Sequence, residues 1–294
     1  MMVPALRLLD DPFIFSRMLH RPTGSHKGTF GTALCLCGSR IYRGAALLAV
    51  EGAMRCGAGI VQLASVEEVI SACCSRLPEC TLLPLKPCPQ GGPSKENLDL
   101  LAEQLPHRRA LLAGCGLTQS EDTSYLVHHL VEQCECSVVL DADALNVCKS
   151  GSLPHPKKGG LIVTPHPGEM SALTGKSIQE IQQNRVQAAL DFARENQCII
   201  ALKGHHTIIA SPDGQVFENP TGNPGLAKGG SGDVLAGMIT GLVCGGLSPL
   251  DAAICGVYLH GKAADLCAER KGQTTMLPHD ILEDLGGFLA ENHF

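Results

Sequence analysis

The stretch Asn223–Leu242, NPGLAKGGSGDVLAGMITGL, decides how the rest of the chain is read. Glycines at 229, 230 and 232 crowd one acid, Asp233, and an apolar sequence at helical spacing follows at once. Glycine weakens helix and strand interiors, so such a cluster marks a backbone shape or a close approach that side chains would forbid. Bare N–H groups opening a helix, at the positive end of its dipole, bind anions and above all phosphates. Asp233 then falls in the first helical turn. A carboxylate is a poor phosphate ligand, but it suits a base that takes the proton from a hydroxyl attacking a phosphoryl group. Acids are also common at ordinary helix N-termini, and on these residues alone both readings stand.

Outward from this stretch, short apolar runs alternate with longer helical patterns. The strand candidates are Thr32–Cys37, Ile60–Ala64, Thr81–Leu85, Ala110–Ala113, Ser137–Asp141, Leu161–Thr164, Cys198–Leu202, Thr207–Ala210 and Gln215–Glu218. The helix candidates are Ala45–Arg55, Lys95–Gln104, Thr123–Gln133, Ile178–Glu195, Asp233–Val243 and Leu250–Arg270. Runs such as SVVLDA and GLIVTP are apolar almost throughout, as strands covered on both faces are. Their alternation with helices predicts βαβ units in a layered α/β domain. Cys198–Glu218 differs: three runs lie close together, with a turn signal at Ser211-Pro212-Asp213-Gly214, which predicts an antiparallel edge. The Pro/Gly-rich piece Lys86–Pro93 is short enough for a surface loop. No linker, charge block or repeat interrupts the chain, and one domain over residues 1–294 is the simplest organisation.

Composition narrows the partners. A net charge of −6 gives no basic excess for nucleic acid or an anionic membrane. No apolar run is long enough to span a bilayer, and MMVPALRLLDDPF lacks the basic start and apolar core of a signal peptide. Fifteen cysteines are scattered and odd in number, without a C-x-x-C pair. They read as reduced thiols used as small hydrophobes in a reducing cytoplasm.

The polar and glycine-rich motifs cluster where strands are predicted to end, which is where open parallel sheets bind ligands. They are Ala113-Gly114-Cys115-Gly116-Leu117, Asp141-Ala-Asp143-Ala-Leu-Asn146, Thr164-Pro165-His166-Pro167-Gly168-Glu169 and Lys203-Gly204-His205-His206-Thr207. Four such ends are better explained by one shared cleft than by four turns. Between two prolines, His166 sits on a stiff turn that cannot join a helix; a loop histidine is otherwise structural or solvated. Lys203 reads equally as a phosphate-facing or a surface cation, Lys228 as a solvated one, and His260 as a packed core histidine. Two phosphate-loop lookalikes are set aside. Gly256–Lys262 lies inside a helical pattern and ends in Ala263, and Gly175-Lys176-Ser177 has Met170 where the first glycine belongs.

Taken together these residues resemble one family. GGSGDVLAGMITGL resembles the anion hole and base of the ribokinase-like superfamily. The chain as a whole is similar to the ADP/ATP-dependent NAD(P)H-hydrate dehydratases. The likeness runs in order through HKGTFG (from His26), GAALLA (from Gly44), CGAG (from Cys56), DADALN, TPHPGEM, KGHHT, GNPGLAKGGSGD and YLHGKAADL (from Tyr258). It implies a ribokinase-like three-layer α/β/α sandwich. It implies a lyase of metabolite repair: ADP or ATP phosphorylates the ring hydroxyl of the 6S hydrate of NADH or NADPH, and phosphate then leaves to restore the ring. Asp233 would be the base, with the N–H groups of Gly230 to Gly232 stabilising the transferring phosphoryl group and Mg2+ bridging the nucleotide phosphates.

Carried over residue by residue, Ala45, Gly116, His166 and Asp233 match positions that hold the hydrated dinucleotide. Lys203, Gly204, His205, His206 and Thr207, with Gly232, match positions that hold the adenine nucleotide. Asp143 and Asn146 lie in a matching motif near the phosphates. The family often carries a fused epimerase domain ahead of this one; the first motif here falls so early that none is expected, and base rates suggest a homo-oligomer. One departure matters: the family has glycine where this chain has Thr118, so a positive φ there would be strained. Two rivals share parts of the pattern. A sugar or vitamin-precursor kinase of the same superfamily needs the same base and anion hole. A non-catalytic nucleotide-binding protein would not need Asp233.

Overall fold

The computed structural model describes residues 6–148 and 153–294. In chain order the elements run β1 (Leu6–Leu8), α1 (Asp11–Phe15), β2 (Thr32–Leu36), α2 (Arg43–Arg55), β3 (Ile60–Val66), α3 (Glu67–Arg76), β4 (Thr81–Leu85) and α4 (Leu98–Ala102). They continue with β5 (Ala110–Ala113), α5 (Glu121–Gln133), β6 (Ser137–Leu140), α6 (Asp143–Asn146), β7 (Leu161–Val163), α7 (Pro167–Thr174), α8 (Ile178–Gln183) and α9 (Arg185–Glu195). The last are β8 (Ile199–Leu202), β9 (Ile208–Ala210), β10 (Val216–Glu218), α10 (Ser231–Gly245), α11 (Pro249–Lys271) and α12 (Ile281–Glu291).

The strands form one sheet in the order β1-β10-β9-β8-β7-β6-β5-β2-β3-β4. Every described pairing is parallel except those of β9 with β8 and with β10. The expected antiparallel edge is therefore one reversed strand, outside which β10 and β1 run with the rest of the sheet. Strand side chains point alternately to opposite faces, and this divides the interior into two cores. Ala33, Cys35, Leu112, Val139 and Ile162 pack with α2, α10, α11 and α12 on one face. Leu34, Leu36, Leu111, Val138 and Val163 pack with α5, α7 and α9 on the other. Helices on both faces of one sheet make the three-layer arrangement, and the unbroken apolar strands are its sequence signature.

The helix that carries Asp233 is apolar on nearly every side, because it is sandwiched between the sheet, α2 and α11. Its glycines are packing devices. A side-chain carbon at Gly237 would fall 2.0 Å from the Ala49 carbonyl oxygen, and one at Gly241 would fall 2.3 Å from that of Ala53. Backbone touches backbone there, which brings the N-terminus of α2, with Ala45, beside the N-terminus of α10.

Elsewhere the element boundaries move for local reasons. The expected helix Ile178–Glu195 breaks at Asn184, whose φ of −138° and ψ of 50° leave the helical region. The apolar period runs across that break, so periodicity could not detect it. The segment expected as Lys95–Gln104 opens as a 3₁₀ turn and becomes α4 only from Leu98. The loop expected on the surface at Lys86–Pro93 is half buried. A carbon on Gly92 would fall 2.4 Å from the Leu117 carbonyl oxygen, so this glycine packs under the turn that follows β5, while Gly91 lies against Arg40. Gly256–Lys262 lies within α11, and Gly175-Lys176-Ser177 links the end of α7 to the cap of α8. All fifteen cysteines are free, and Cys74 alone is exposed.

Candidate active site

The chain leaves β2 toward β3 on one side and β5 toward β6 on the other. The crevice above the carboxyl ends of β2 and β5 is thus the switch point at which an open α/β sheet binds ligands. Strand ladders continue a residue or more past this edge. Gly38 donates its N–H to the Cys115 carbonyl at 2.8 Å, Asp141 to Ala113 at 3.2 Å, and Lys203 to Pro165 at 2.9 Å. The four sequence motifs are therefore held side by side along one edge. At the crevice itself Gly116 and Ala45 touch: a carbon on Gly116 would fall 2.8 Å from the Ala45 methyl.

Into this edge points the start of α10. Gly230 is its N-cap, in the left-handed region at φ 100°, and offers no capping side chain. A β-carbon there would also fall 2.5 Å from Leu48 Cδ1. Ser231 N–H turns back onto the Lys228 carbonyl at 3.3 Å, while among the described residues Gly232 and Asp233 N–H find no acceptor. Within the expected run from Gly230 to Gly232 only the Ser231 N–H is engaged among the described residues, and the Asp233 N–H joins the free amides. Gly232 keeps the approach open, since a carbon there would sit 3.3 Å from Lys203 Nζ and 3.7 Å from Asp141 Oδ2.

Below the amides lies a charge cluster. Lys203 Nζ donates to Asp141 Oδ1 at 2.7 Å and lies 3.8 Å from Glu169 Oε2. Thr164 Oγ1 also donates to Asp141 Oδ1, at 2.7 Å. Burial opposes the charge on Lys203, but Asp141 and Glu169 outweigh it and hold its pKa above the usual lysine value. The reading of Lys203 as a surface cation is corrected accordingly. Burial raises Glu169, partly offset by Lys203. Asp233 is pushed up to about 7, first by burial and then by Asp141, with Cys115 and Lys203 pulling the other way.

Oxygens of Asp141 and Asp233 and the sulfur of Cys115 lie within 4.8 Å of one another. More acids than cations, with hard oxygens facing the anion-binding amides, fit a magnesium ion that arrives with nucleotide phosphates. Asp141 is the donor suited to it, and the soft thiol of Cys115 is not.

His166 does more than sit on a turn: it caps α7. Its Nδ1 accepts from Gly168 N–H at 3.0 Å and Glu169 N–H at 3.3 Å, while Glu169 Oε2 accepts from His166 N–H at 2.8 Å. Nδ1 is thus an acceptor, which leaves Nε2 as the donor of a neutral ring. The ring is half exposed and faces a cavity of about 660 Å³. Lys203, Gly204, His205, His206, Thr207 and Gly232 line the same cavity. Of the residues expected to hold the dinucleotide, His166 shares this cavity with the expected nucleotide residues, while Ala45, Gly116 and Asp233 are not part of its lining. Asn146 lies exposed on α6, and among the described residues nothing draws its side chain into the cluster.

Asp143 is held by the residue that departs from the family. Thr118 donates its N–H to Asp143 Oδ2 at 2.8 Å, from a left-handed backbone with φ 74°. The expected strain is present, and the buried Oγ1 of Thr118 has no partner. Thr118→Gly is expected to stabilise the protein by about 1 kcal/mol: it relieves the β-carbon clash and removes the orphaned hydroxyl, less the added chain entropy. Thermal unfolding checks this; a lower melting temperature would refute it.

Sequence reasoning missed Asp141, Glu169, Asp265 and the true place of Lys228. Asp265 accepts from Gly222 N–H and Asn223 Nδ2, both at 2.9 Å, and so pins the loop that leads to the glycine cluster. Lys228 is not solvated at its tip but donates to the Thr274 and Met276 carbonyls. Asp141 carried a usable signal as the first residue past an apolar strand. Asp265 and Lys228 carried none, because both act across long sequence separations.

A family model described as NAD(P)H-hydrate dehydratase matches residues 33–286. The chain is 42% identical over 266 residues to the ADP-dependent (S)-NAD(P)H-hydrate dehydratase of Bacillus subtilis (strain 168), covering 90% of this chain and 91% of that protein. It is 41% identical over 280 residues to the bifunctional NAD(P)H-hydrate repair enzyme of Moorella thermoacetica, covering 95% of this chain and 53% of that one, so it spans about half the length of such bifunctional relatives. Among solved structures, the ADP/ATP-dependent NAD(P)H-hydrate dehydratase of Bacillus subtilis, co-crystallised with ATP/Mg2+, superposes with a TM-score of 0.87 at 38% identity, covering 97% of this chain and 98% of that one. A ribokinase-like superfamily protein from Enterococcus faecalis V583 superposes with a TM-score of 0.83 at 26% identity, covering 97% and 96%.

Proposed function

The chain belongs to the NAD(P)H-hydrate dehydratase family, and from that premise we propose that its cleft restores hydrated NADH and NADPH at the expense of ADP or ATP. The observation that carries the reading is the meeting of bare amides at Gly232 and Asp233 with a carboxylate whose pKa is pushed up to about 7. A base of that pKa accepts a proton at neutral pH while about half of it is ionised beforehand.

The adenine nucleotide occupies the cavity along Lys203–Thr207, with its terminal phosphate on the amides of Gly232 and Asp233. The hydrated ring lies toward Ala45, Gly116 and His166. Asp233 takes the proton of the ring hydroxyl as its oxygen bonds to phosphorus and the nucleotide leaves, so ADP yields AMP. The C–O bond then breaks, phosphate departs with the electron pair, and the neighbouring carbon loses a proton to form the double bond. Phosphate leaves readily where hydroxide would not. Magnesium, when bound, neutralises charge on the nucleotide phosphates. Asp141 keeps Lys203 aimed at the same region, and α10 adds the positive end of its dipole.

The one sheet supports reading the chain as one catalytic domain. Free buried thiols suit a reducing compartment, and no described helix is long and apolar enough to cross a membrane. Purified protein mixed with hydrated NADH and ADP or ATP is expected to regain the NADH absorbance and release phosphate in equal amounts. A stable phosphorylated product without recovery would favour a small-molecule kinase instead.

A further inference from the structure

The polar side chains deep in the cavity divide into two groups. Asn219 donates to the Thr221 carbonyl at 3.1 Å, and Thr221 Oγ1 donates to the Tyr258 carbonyl at 2.9 Å. Asn223 accepts from Gly225 N–H and donates to the Ala264 carbonyl and to Asp265. These three are spent on holding the wall. The other group is His260 and Ser231, which line the same cavity. Both residues are 7% exposed, and His260 Nε2 and Ser231 Oγ are buried without a hydrogen-bond partner. Native interiors leave few such atoms open, so two of them on one cavity wall mark where a ligand supplies the missing partners. His260 is thus buried, as its apolar neighbours in sequence suggested; the Ser231 backbone lies near its ring, but Nε2 makes no hydrogen bond of normal geometry.

We propose that His260 and Ser231 recognise the nucleoside half of the adenine nucleotide, through a ribose hydroxyl or the polar edge of the base. Burial, partly opposed by the Ser231 backbone, pushes the His260 pKa down to about 4, so the ring is uncharged at neutral pH. A neutral imidazole offers one donor and one acceptor, and a serine hydroxyl offers both. That pair matches hydroxyl and base-edge groups. A phosphate is better served by the cation Lys203 and the bare amides, which line the cavity by way of Gly232. Leu226, Leu235 and Val257 stand on the same wall and suit the flat apolar face of a base. This inference rests on reading the cavity as the nucleotide site.

The test is equilibrium binding of adenosine, ADP and inorganic pyrophosphate to the intact protein, to His260→Leu and to Ser231→Ala. In both variants affinity for adenosine and ADP is expected to fall by a common factor, roughly tenfold for the loss of one such contact, with pyrophosphate binding unchanged. In ¹⁵N-histidine-labelled wild type, adenosine is expected to shift one histidine resonance that is absent from His260→Leu. Ser231→Ala removes only an oxygen, so it decides the matter if His260→Leu fails to fold. ADP affinity within twofold of wild type in the folded variants, or an equal loss for pyrophosphate, overturns the inference. Wild type that binds pyrophosphate but neither adenosine nor ADP overturns the nucleotide reading beneath it.

Discussion

Asp233→Asn is expected to lower turnover by about 10²–10⁴, the usual worth of a general base, while ADP and ATP bind as before. The amide keeps the shape of the carboxylate and the backbone N–H groups at positions 232 and 233 proposed to face the phosphate, and it loses the negative charge and with it the ability to accept a proton. In the wild type, kcat/KM is expected to rise tenfold per pH unit below about 7, where Asp233 is protonated, and to level off above it. That limb should vanish from the residual activity of the variant. Near-normal turnover, or an unchanged pH profile, would remove Asp233 from the role of base.

The same carboxylate makes a second, opposite effect on stability. Its folded pKa of about 7 lies above its ordinary value of 3.8. Between those two values the folded state holds a proton that the unfolded state has released, so stability falls as pH rises through the window. Above it the ionised group costs on the order of 1–3 kcal/mol, discounted for the partial exposure of the site. The side-chain amide introduced by Asp233→Asn carries no such charge. The variant is therefore expected to be less active yet more stable than the wild type at pH 8, with the gap closing toward pH 4. Chemical denaturation at the two pH values reads this directly. Such a trade is what an active-site acid held in a poorly solvated place entails.

How far the sequence carries this picture depends on the range of the interaction. Both-face burial wrote itself into SVVL and LIV as unbroken apolar runs, and the glycine cluster before Asp233 announced a helix with an uncapped N-terminus. Those are local signals. The antiparallel strand was legible from the turn at Ser211–Gly214, but the return to parallel pairing by β1 was not, because Leu6–Leu8 is short and its partner β10 lies some two hundred residues on. Gly237 and Gly241 were read within a helical pattern, and only the approach of Ala49 and Ala53 explains them. The charge cluster was least legible. Asp141, Glu169 and Lys203 come from three separate strand ends, and nothing in any one motif says that a lysine read equally as phosphate-facing or as a surface cation closes onto two buried acids. Strain at Thr118 was foreseeable from residue type once a left-handed turn was expected there; its bond to Asp143 was not.

That hidden cluster is where the second large effect is expected, in Lys203→Met. The substitution keeps most of the stem's volume and removes the one cation between Asp141 and Glu169, whose side chains are 2% and 5% exposed. Breaking a buried pair from one side leaves uncompensated charge and costs about 3–5 kcal/mol. The remaining acids can escape that cost only by taking up a proton. Glu169 is already raised by burial with Lys203 present, and without it the carboxyl moves further up. An acid raised in the folded state destabilises as pH rises, so the loss should be greatest above neutrality and shrink toward pH 5. Lys203 also helps hold the pKa of Asp233 down, so the acid limb of kcat/KM should move to higher pH in the variant. Adding Glu169→Gln, which deletes one of the two stranded charges, should return part of the stability without returning the nucleotide affinity proposed for the lysine's charge. A loss that is independent of pH, or that Glu169→Gln makes worse, would mean that Lys203 serves the nucleotide alone and that the acids beneath it are held by other means.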